Sequence, residues 1–427
     1  MRRSIPVIAL ALFASSVHAQ QNPPRQADTL RISRQQAITS ALLSNPQLEI
    51  AREQTAQVRA QRVQGLGLTD PMLSASLDSV TAFRTAGSAP QRPLAIGVVL
   101  PFPDKLRLRN TIGVENIRSS ESAFRLQQQL IAAAAGRAYD SVLVTRQHRR
   151  DLIEARDLAN GFLKRTQARF NAGSVPRLDV IKAQVDVAQA ENDLIANSRD
   201  VTNAAAALNR VLGRPLALAV MPTDSLMAPA GLPELDALEQ IALRGRPEVT
   251  AVEAQLRAAR ANSTLTKESS ILPDILLGAG RDFATDAGLS YSVGFSMPLP
   301  LFYPLHTKGD FAETRHRELE LAATLLDTRA AVGQDVRAAW ASADAAQRQA
   351  IFIRDQLLPA AREAHRVATV SYDLGGLSAL DVLDARRALL DAQRQYADAL
   401  AAANSARSDL ERAAGAPLAS IPGAPRE

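Results

Sequence analysis

Asp381 and Asp384 are the side chains whose type and spacing could do chemistry, because they follow a Gly375-Gly376 turn and lie three residues apart. Residues three apart share one face of a helix, so both carboxylates would point the same way. Such a pair attracts cations. It also has a purely structural explanation, since carboxylates near a helix N-terminus are stabilised by the helix dipole. The spacing alone leaves open whether the pair only begins a helix or also meets a passing solute.

Enzymatic chemistry has little support elsewhere in the chain. The sequence contains no cysteine, which excludes disulfides, cysteine nucleophiles and thiolate metal sites. It contains no Ser-His-Asp grouping, phosphate-binding loop or metal-ligand spacing. The histidines beyond the N-terminal segment are His148, His306, His316 and His365. We therefore predict no enzymatic activity, no metal site and no cofactor.

The N-terminus has the pattern of a secretory signal peptide. Two arginines precede a short apolar run, and Val-His-Ala at positions 17–19 is a small-x-small cleavage site. We predict a signal peptide over residues 1–19 and a linker over 20–30, and therefore an exported protein. No cysteine follows the cleavage site, so no N-terminal lipid is expected. The formal charge of +5 is too mild to predict a nucleic-acid partner.

The chain repeats itself at a shift of 202 residues. RFNAGSVPRLDV (169–180) aligns with SYDLGGLSALDV (371–382), which sets Gly173 on Gly375 and Asp179 on Asp381. Self-similarity of this length indicates a duplicated architecture. We predict that each half contains a helix, two short strands, a long helix, a tip turn and a returning helix.

The predicted boundaries follow from this alignment. The first repeat covers 31–217, with strands near 70–80 and 93–101, a long helix 105–170, a tip turn 171–175 and a return helix 176–213. The second covers 237–415, with strands near 272–282 and 289–298, a long helix 309–372, a tip turn 373–377 and a return helix 378–414. Residues 218–236 connect the repeats, and 416–427 form a tail.

The return helices carry a seven-residue pattern. In the second half, apolar residues recur at every seventh position from Val382 to Leu410, and alanine recurs from Ala385 to Ala413. Sustained heptads predict left-handed coiled-coil packing. Asp381 and Asp384 then occupy positions beside the packed seam rather than within it.

The predicted strands alternate in polarity. Tyr291, Val293 and Phe295 face one way, with small residues between them. This alternation fits a strand of an outer-membrane barrel, and equally a half-buried soluble sheet. Four strands cannot close a barrel in lipid, but three copies would supply twelve. We thus predict a mainly α fold with a small β part, in which long coiled-coil hairpins form a trimeric α-barrel and four strands per chain complete a 12-stranded trimeric β-barrel.

The duplicated arrangement resembles the TolC family of outer-membrane efflux channels over almost the whole mature chain. The resemblance is carried by the segments FNAGSVPRLDV, YDLGGLSALDVLDA, NPQLEIA and PFPDKLRLR. It implies a homotrimer in the outer membrane of a Gram-negative bacterium, in contact with outer-membrane lipid and extending into the periplasm. It also implies a periplasmic adaptor and an inner-membrane pump of RND or ABC type as partners.

The function implied by the resemblance is a passive exit duct of a tripartite efflux system, for small molecules such as drugs or metal cations. PFPDKLRLR is also similar to the branch of the family that serves heavy-metal exporters. An exit channel for type I protein secretion stays open as an alternative. A periplasmic coiled-coil adaptor or scaffold would not explain two matching halves with proline-bounded strands.

The resemblance also assigns roles at the tip. In similar channels the aspartates of the LDVLD segment line the periplasmic mouth, which makes Asp381 and Asp384 the expected gate. A ring of carboxylates favours cations, and its members raise one another's pKa. The tip turns are the expected adaptor-docking surface; they are Asn171, Ala172, Gly173 and Ser174, and Leu374, Gly375, Gly376 and Leu377.

Tyr372 and Asp179 match positions that hold the tip closed in similar channels, but the match is incomplete. Leu377 stands where a basic residue is expected, and Lys182 stands where the second repeat has Asp384. A closing contact of Asp179 with Lys182, or a pair formed by Arg177, is the resulting expectation.

Overall fold

The computed structural model describes residues 29–75, 93–227, 231–284, 288–299 and 303–418. The predicted signal peptide, nearly all of the linker and most of the tail lie outside these residues. The described chain is mostly helical. Its helices are α1 (Arg34–Ser44), α2 (Pro46–Leu66), α3 (Pro103–Asn171), α4 (Arg177–Val211), α5 (Leu235–Gly245), α6 (Pro247–Ile271), α7 (Tyr303–Phe352), α8 (Leu358–Asp373) and α9 (Ala379–Ala414). Its strands are β1 (Leu30–Ile32), β2 (Met72–Ala75), β3 (Pro93–Leu100), β4 (Val220–Pro222), β5 (Ile275–Ala284) and β6 (Gly288–Ser296).

The first helix of each half is broken in two, where we predicted one continuous helix. The breaks fall before Pro46 and before Pro247. A residue that precedes proline is driven out of the helical region of backbone space, and Asn45 and Arg246 are both extended there. Asn45 then caps α2, because its side chain accepts a hydrogen bond from the Gln47 amide at 2.9 Å.

The second long helix also differs from the predicted 309–372. It begins at Tyr303, and a π-helical turn at Ile353–Leu357 separates α7 from α8. The Leu358 amide donates to the Ile353 carbonyl five residues back. Pro359 explains the change, since it has no N–H to give to the preceding turn. The matching helix of the first half, α3, runs without interruption over 69 residues.

The long helices pack side by side in two tiers. In one tier the order is α2, α3, α6 and α7; in the other it is α4, α3, α9 and α8, so that α4 and α8 lie at the outer edges. Seam residues predicted from the heptads are buried, including Val382, Leu389 and Ala392. No helix in the described ranges is both long and apolar enough to cross a membrane.

Where the two tiers meet, the chain is tied to α3 by buried polar groups. β1 and β4 pair in parallel, a pairing that was not predicted from the sequence. The Tyr139 hydroxyl donates to the Ile32 carbonyl at 3.0 Å, and burial raises the pKa of Tyr139 to about 12. Arg34 Nε lies 3.2 Å from the Asp140 carboxylate, whose pKa burial raises against the opposing effect of Arg34.

Before the N-terminal end of α3, a four-stranded sheet has the order β2-β3-β5-β6, with β2 and β6 at its edges. The register sets Ile96 beside Ala279, and Ala279 beside Val293. Apolar side chains therefore share one face, while Gly97, Gly278 and Gly294 share the other. The predicted strand near 70–80 is described only as far as Ala75, and the rest of it lies outside the described residues.

Candidate functional site

The two tip turns have the same backbone geometry. Gly173 and Gly375 adopt φ values of 75° and 84°, in the left-handed region that glycine enters without a steric penalty. The Ser174 amide donates to the Arg169 carbonyl at 2.9 Å, and the Gly376 amide donates to the Ser371 carbonyl at 2.8 Å. These bonds end each long helix with a Schellman motif. All eight residues named as the expected docking turns are exposed.

Asp381 lies in the first turn of helix α9, at its third position. Its carboxylate accepts hydrogen bonds from the Ser378 amide at 2.9 Å and the Ser378 hydroxyl at 2.7 Å, while the Asp381 amide donates to that hydroxyl in return. This is a capping box. The hydrogen bonds from Ser378 hold the pKa of Asp381 below its usual value. The carboxylate therefore stays ionised into more acidic solution than a free aspartate would.

Asp384 lies one turn further along the exposed side of α9. Its nearest cation is Arg387, whose Nη1 is 3.4 Å from the carboxylate, and both side chains are more than half exposed. An ion pair this exposed contributes little stabilisation. Asp381 and Asp384 thus stand together on a solvent-facing surface at the start of α9, beside the buried Val382 and Leu383.

Tyr372, near the end of α8, contacts α3 of the other hairpin of the same chain. Its ring is 2% exposed and packs against Phe162 of α3 with ring centres 5.2 Å apart. The Arg169 guanidinium lies 4.6 Å from the ring centre and donates a hydrogen bond to the Tyr372 carbonyl. The Tyr372 hydroxyl donates to Thr166 Oγ1 at 3.4 Å. A cation over an aromatic face is attracted by it, and here the same cation satisfies a helix C-terminal carbonyl.

Two residues beyond Asp384 on α9, a buried ion pair crosses between the hairpins. Arg386 of α9 pairs with Asp186 of α4 and donates to the Ala155 carbonyl of α3 at 3.1 Å. Burial raises the pKa of Asp186 and lowers that of Arg386, and their mutual attraction opposes both shifts. Burial, followed by the charges of Arg386 and Arg165, lowers the pKa of His365 on α8. The Arg386 guanidinium therefore links three helices, α9, α4 and α3.

Comparison with known proteins decides the family. A family model described as outer membrane efflux protein matches residues 33–214 and 238–416, most of both halves. The chain belongs to the outer membrane efflux protein family. The TolC-type prediction made from the tip motifs is therefore confirmed, and the chain is an outer-membrane exit duct of an efflux system.

Individual relatives agree with this assignment. The cobalt-zinc-cadmium resistance protein CzcC of Cupriavidus metallidurans is 24% identical over 307 residues, which cover 70% of this chain and 72% of CzcC. TolC of Vibrio cholerae is 28% identical over 298 residues, 66% of this chain and 67% of TolC. The solved structure of the outer-membrane channel OprN shares the fold, with a TM-score of 0.77 at 18% identity, covering 90% of this chain and 89% of OprN.

The duct's relatives are channel proteins rather than enzymes. Members of this family work as trimers with adaptor proteins and inner-membrane pumps, and they lie in the outer membrane of Gram-negative bacteria.

Neither cross-hairpin contact of the duct was predicted from the sequence. A basic partner for the tip was expected at the position of Leu377, which is exposed, whereas Arg169 of the first repeat contacts Tyr372. A basic residue in the last turn of α3 was the available signal. Asp179 is half-buried, and within the described chain it forms no ion pair with Lys182 or Arg177. Its closing role stays a prediction.

Removing the Ser378 hydroxyl is expected to shift the acid titration of the tip. Ser378→Ala deletes the largest contribution that lowers the pKa of Asp381, so that pKa rises toward its ordinary value. A carboxylate with a depressed pKa keeps its charge until the pH falls through that pKa, so the variant should lose tip charge at a higher pH. Single-channel cation block, titrated from neutral to acid pH, measures the shift. Ser174→Ala, on the exposed turn of the first repeat, is the matched control, and identical titrations of all three proteins would contradict the expectation.

Proposed function

We propose that three copies of the chain close into a ring in which the α4 edge of one copy packs against the α8 edge of the next. Exposed apolar residues with spacings of three and four mark both edges; they are Leu178, Ile181 and Val185 on α4, and Val367 and Val370 on α8 together with Leu374 at its C-cap. Such spacing forms a stripe along one helix face, and contiguous apolar stripes mark contact surfaces. Two different edges give a heterologous contact that closes as a ring. These paired stripes are the observation that carries the proposal.

The same symmetry would complete the sheet. β2 and β6 are its edges, and lipid does not tolerate open sheet edges. On β6, Tyr291, Val293 and Phe295 are each at least three-quarters exposed. Three sheets joined edge to edge would form a 12-stranded barrel with these side chains toward lipid. The chain would be held in the membrane by strands and not by an N-terminal lipid, since it has no cysteine.

In this ring, Asp381 and Asp384 would line the periplasmic mouth as a cation-favouring gate, and the exposed tip turns would receive an adaptor coupled to an RND or ABC pump. The proposed cargo is small solutes. Support comes from relatives named for resistance to cobalt, zinc and cadmium, and for export of pyoverdine.

Ile181→Asp is expected to convert most of the trimer to monomer, because it sets a charge in the middle of the α4 stripe. Gentle detergent extraction from the outer membrane, followed by cross-linking and mass measurement, gives the ratio of trimer to monomer. Leu43→Asp is the matched control, since Leu43 is equally apolar, 83% exposed and lies on α1, away from both edges. A stable Ile181→Asp trimer would overturn the proposed interface.

The transport role is tested in a bacterium deleted for its own efflux ducts and supplied with this chain plus its adaptor and pump. Survival should rise under divalent-cation or dye challenge, and the challenge that responds identifies the cargo class. A protein that reaches the outer membrane as a trimer but restores neither would contradict the small-solute proposal.

A further inference from the structure

Lys182, in the second turn of α4, is a charged residue that the proposed function does not use. It lies 202 residues before Asp384 and so stands where the second repeat has a gate carboxylate. Its side chain is half-buried, and within the described chain it forms no ion pair. The helix dipole does not explain a cation here, because the N-terminal end of a helix favours carboxylates.

Helices α4 and α9 lie side by side near the tip and run in the same direction. Ala183 of α4 belongs to the same buried apolar cluster as Val382 of α9, and Asp186 of α4 pairs with Arg386 of α9. The members of this ion pair are 200 residues apart in sequence, close to the shift of 202 that aligns the two repeats. Equivalent residues of the two helices therefore lie at nearly the same distance from the tip.

Equivalent residues also face the same way. The seam of each helix is buried, and Lys182 and Asp384 occupy the same heptad position beside that seam. In the proposed ring, α4 and α9 are equivalent helices around one axis, so both side chains face the mouth. Asp179 and Asp381 are a second equivalent pair, three residues closer to the tip, which is about 4.5 Å along the helix axis.

Given the proposed gate, on which this step depends, we infer that Lys182 sets the charge selectivity of the mouth. The mouth then has two unlike levels. At the level nearer the tip, Asp179 and Asp381 supply carboxylates from both repeats. At the next level, Lys182 alternates with Asp384 around the ring, so that each ammonium group neighbours carboxylates and their charges cancel.

The mixed level determines which solutes the mouth admits. A ring made only of carboxylates holds cations and repels anions, whereas the ammonium group of a lysine is a compact positive charge that attracts anions. Divalent cations are therefore held at one level of the mouth and not at two. The mouth passes small solutes of either charge, and Lys182 is the residue that lets anionic ones through.

The test uses the full-length trimer in planar bilayers, with magnesium as the blocking ion. Lys182→Gln should lower the half-blocking concentration of magnesium by about fivefold, and Lys182→Asp by about tenfold or more, because each makes the mouth more negative. Cation-over-anion selectivity should rise in the same order. Arg199→Gln is the matched control and should change neither. It removes a cation that pairs with Asp200 on α4, about 25 Å further from the tip.

Exchanging the two charges tests whether Lys182 and Asp384 share one level. The double variant Lys182→Asp with Asp384→Lys keeps the same charges and places each on the other repeat. Magnesium block and ion selectivity should therefore return close to their wild-type values. A double variant that is blocked as readily as Lys182→Asp would overturn the shared level, and so would one whose block is weaker than that of the wild type.

Failure of this step and failure of the gate give different results. Unchanged block and selectivity in Lys182→Gln and Lys182→Asp would overturn the role of Lys182 and leave the gate standing, provided that removing the carboxylates of Asp381 and Asp384 weakens block. Unchanged block after that removal would refute the gate itself, and the role of Lys182 with it. If Lys182→Asp does not form trimers, Lys182→Gln decides alone, since it introduces no new charge.

Discussion

Replacing Arg386 with alanine is expected to lower the free energy of unfolding by about 3–5 kcal/mol, the usual cost of stranding one member of a buried ion pair. The substitution leaves the Asp186 carboxylate buried between the hairpins without the guanidinium, and removes a hydrogen bond to the Ala155 carbonyl. Thermal unfolding followed by circular dichroism measures the loss. Looser hairpins should also raise the resting conductance of the duct in planar bilayers.

The same variant should be pH-dependent in a stated direction. Burial raises the pKa of Asp186 and Arg386 opposes that shift, so removing Arg386 raises the pKa further. A carboxyl group whose pKa is raised in the folded state stabilises that state at acid pH, and the effect is lost as the pH rises through the raised pKa. The loss of unfolding free energy caused by Arg386→Ala should therefore be larger at neutral pH than at acid pH.

Two controls separate burial from charge. Arg387→Ala removes the adjacent arginine, whose side chain is 66% exposed, and an exposed pair contributes at most about 1 kcal/mol. The double variant Arg386→Leu with Asp186→Leu removes both charges together and should recover most of the lost stability. Equal losses from Arg386→Ala and Arg387→Ala, or a double variant as unstable as the single one, would contradict a buried link.

Removing both tip carboxylates, Asp381→Asn with Asp384→Asn, is expected to weaken block of the duct by divalent cations by about tenfold or more, because clustered charge in a narrow mouth concentrates counter-ions. Single-channel recording across a range of divalent concentrations gives the half-blocking concentration. Cation-over-anion selectivity should fall in the same variant, because neutral amides keep the shape of the mouth but not its charge.

The single variants should differ, which makes the test specific. Within the described residues, the ion-pair partner of Asp384 is the exposed Arg387, so Asp384→Asn should change block with little effect on stability. Asp381 also completes the capping box of α9 with Ser378, so Asp381→Asn should affect both block and stability. Asp391→Asn, further along α9, is the control for a general effect of charge. Unchanged block in the double variant would refute the gate.

The tip turns and the helix seams were predictable because their signals are local. A left-handed turn requires glycine almost regardless of context, and Gly173 and Gly375 therefore indicate the two turns from the sequence. A heptad pattern indicates which face of a helix packs against its neighbours. Asp381 was ambiguous for the same local reason, since a capping carboxylate and a gate carboxylate occupy the same helical position.

The cross-hairpin contacts were not predictable because no local rule pairs them. Arg386 and Asp186 are 200 residues apart in sequence, and the internal repeat misleads here, since their counterparts at the shift of 202 are Gln184 and Ala388. Arg169 likewise has Ser371 as its counterpart. The π-helical turn had a visible cause in Pro359, but proline alone does not state whether a helix ends, kinks or gains a residue.

The π-helical turn at Ile353–Leu357 makes the long helical segments of the two halves unequal in continuity. α3 is continuous over 69 residues, whereas a π-helical turn, a common site of helix bending, interrupts the line of α7 and α8 on the hairpin that carries Asp381 and Asp384. In a ring of three chains, stiff and compliant hairpins would alternate around the circumference. Such an aperture would widen by three displacements and not by six, and its outline would pass from round to three-lobed.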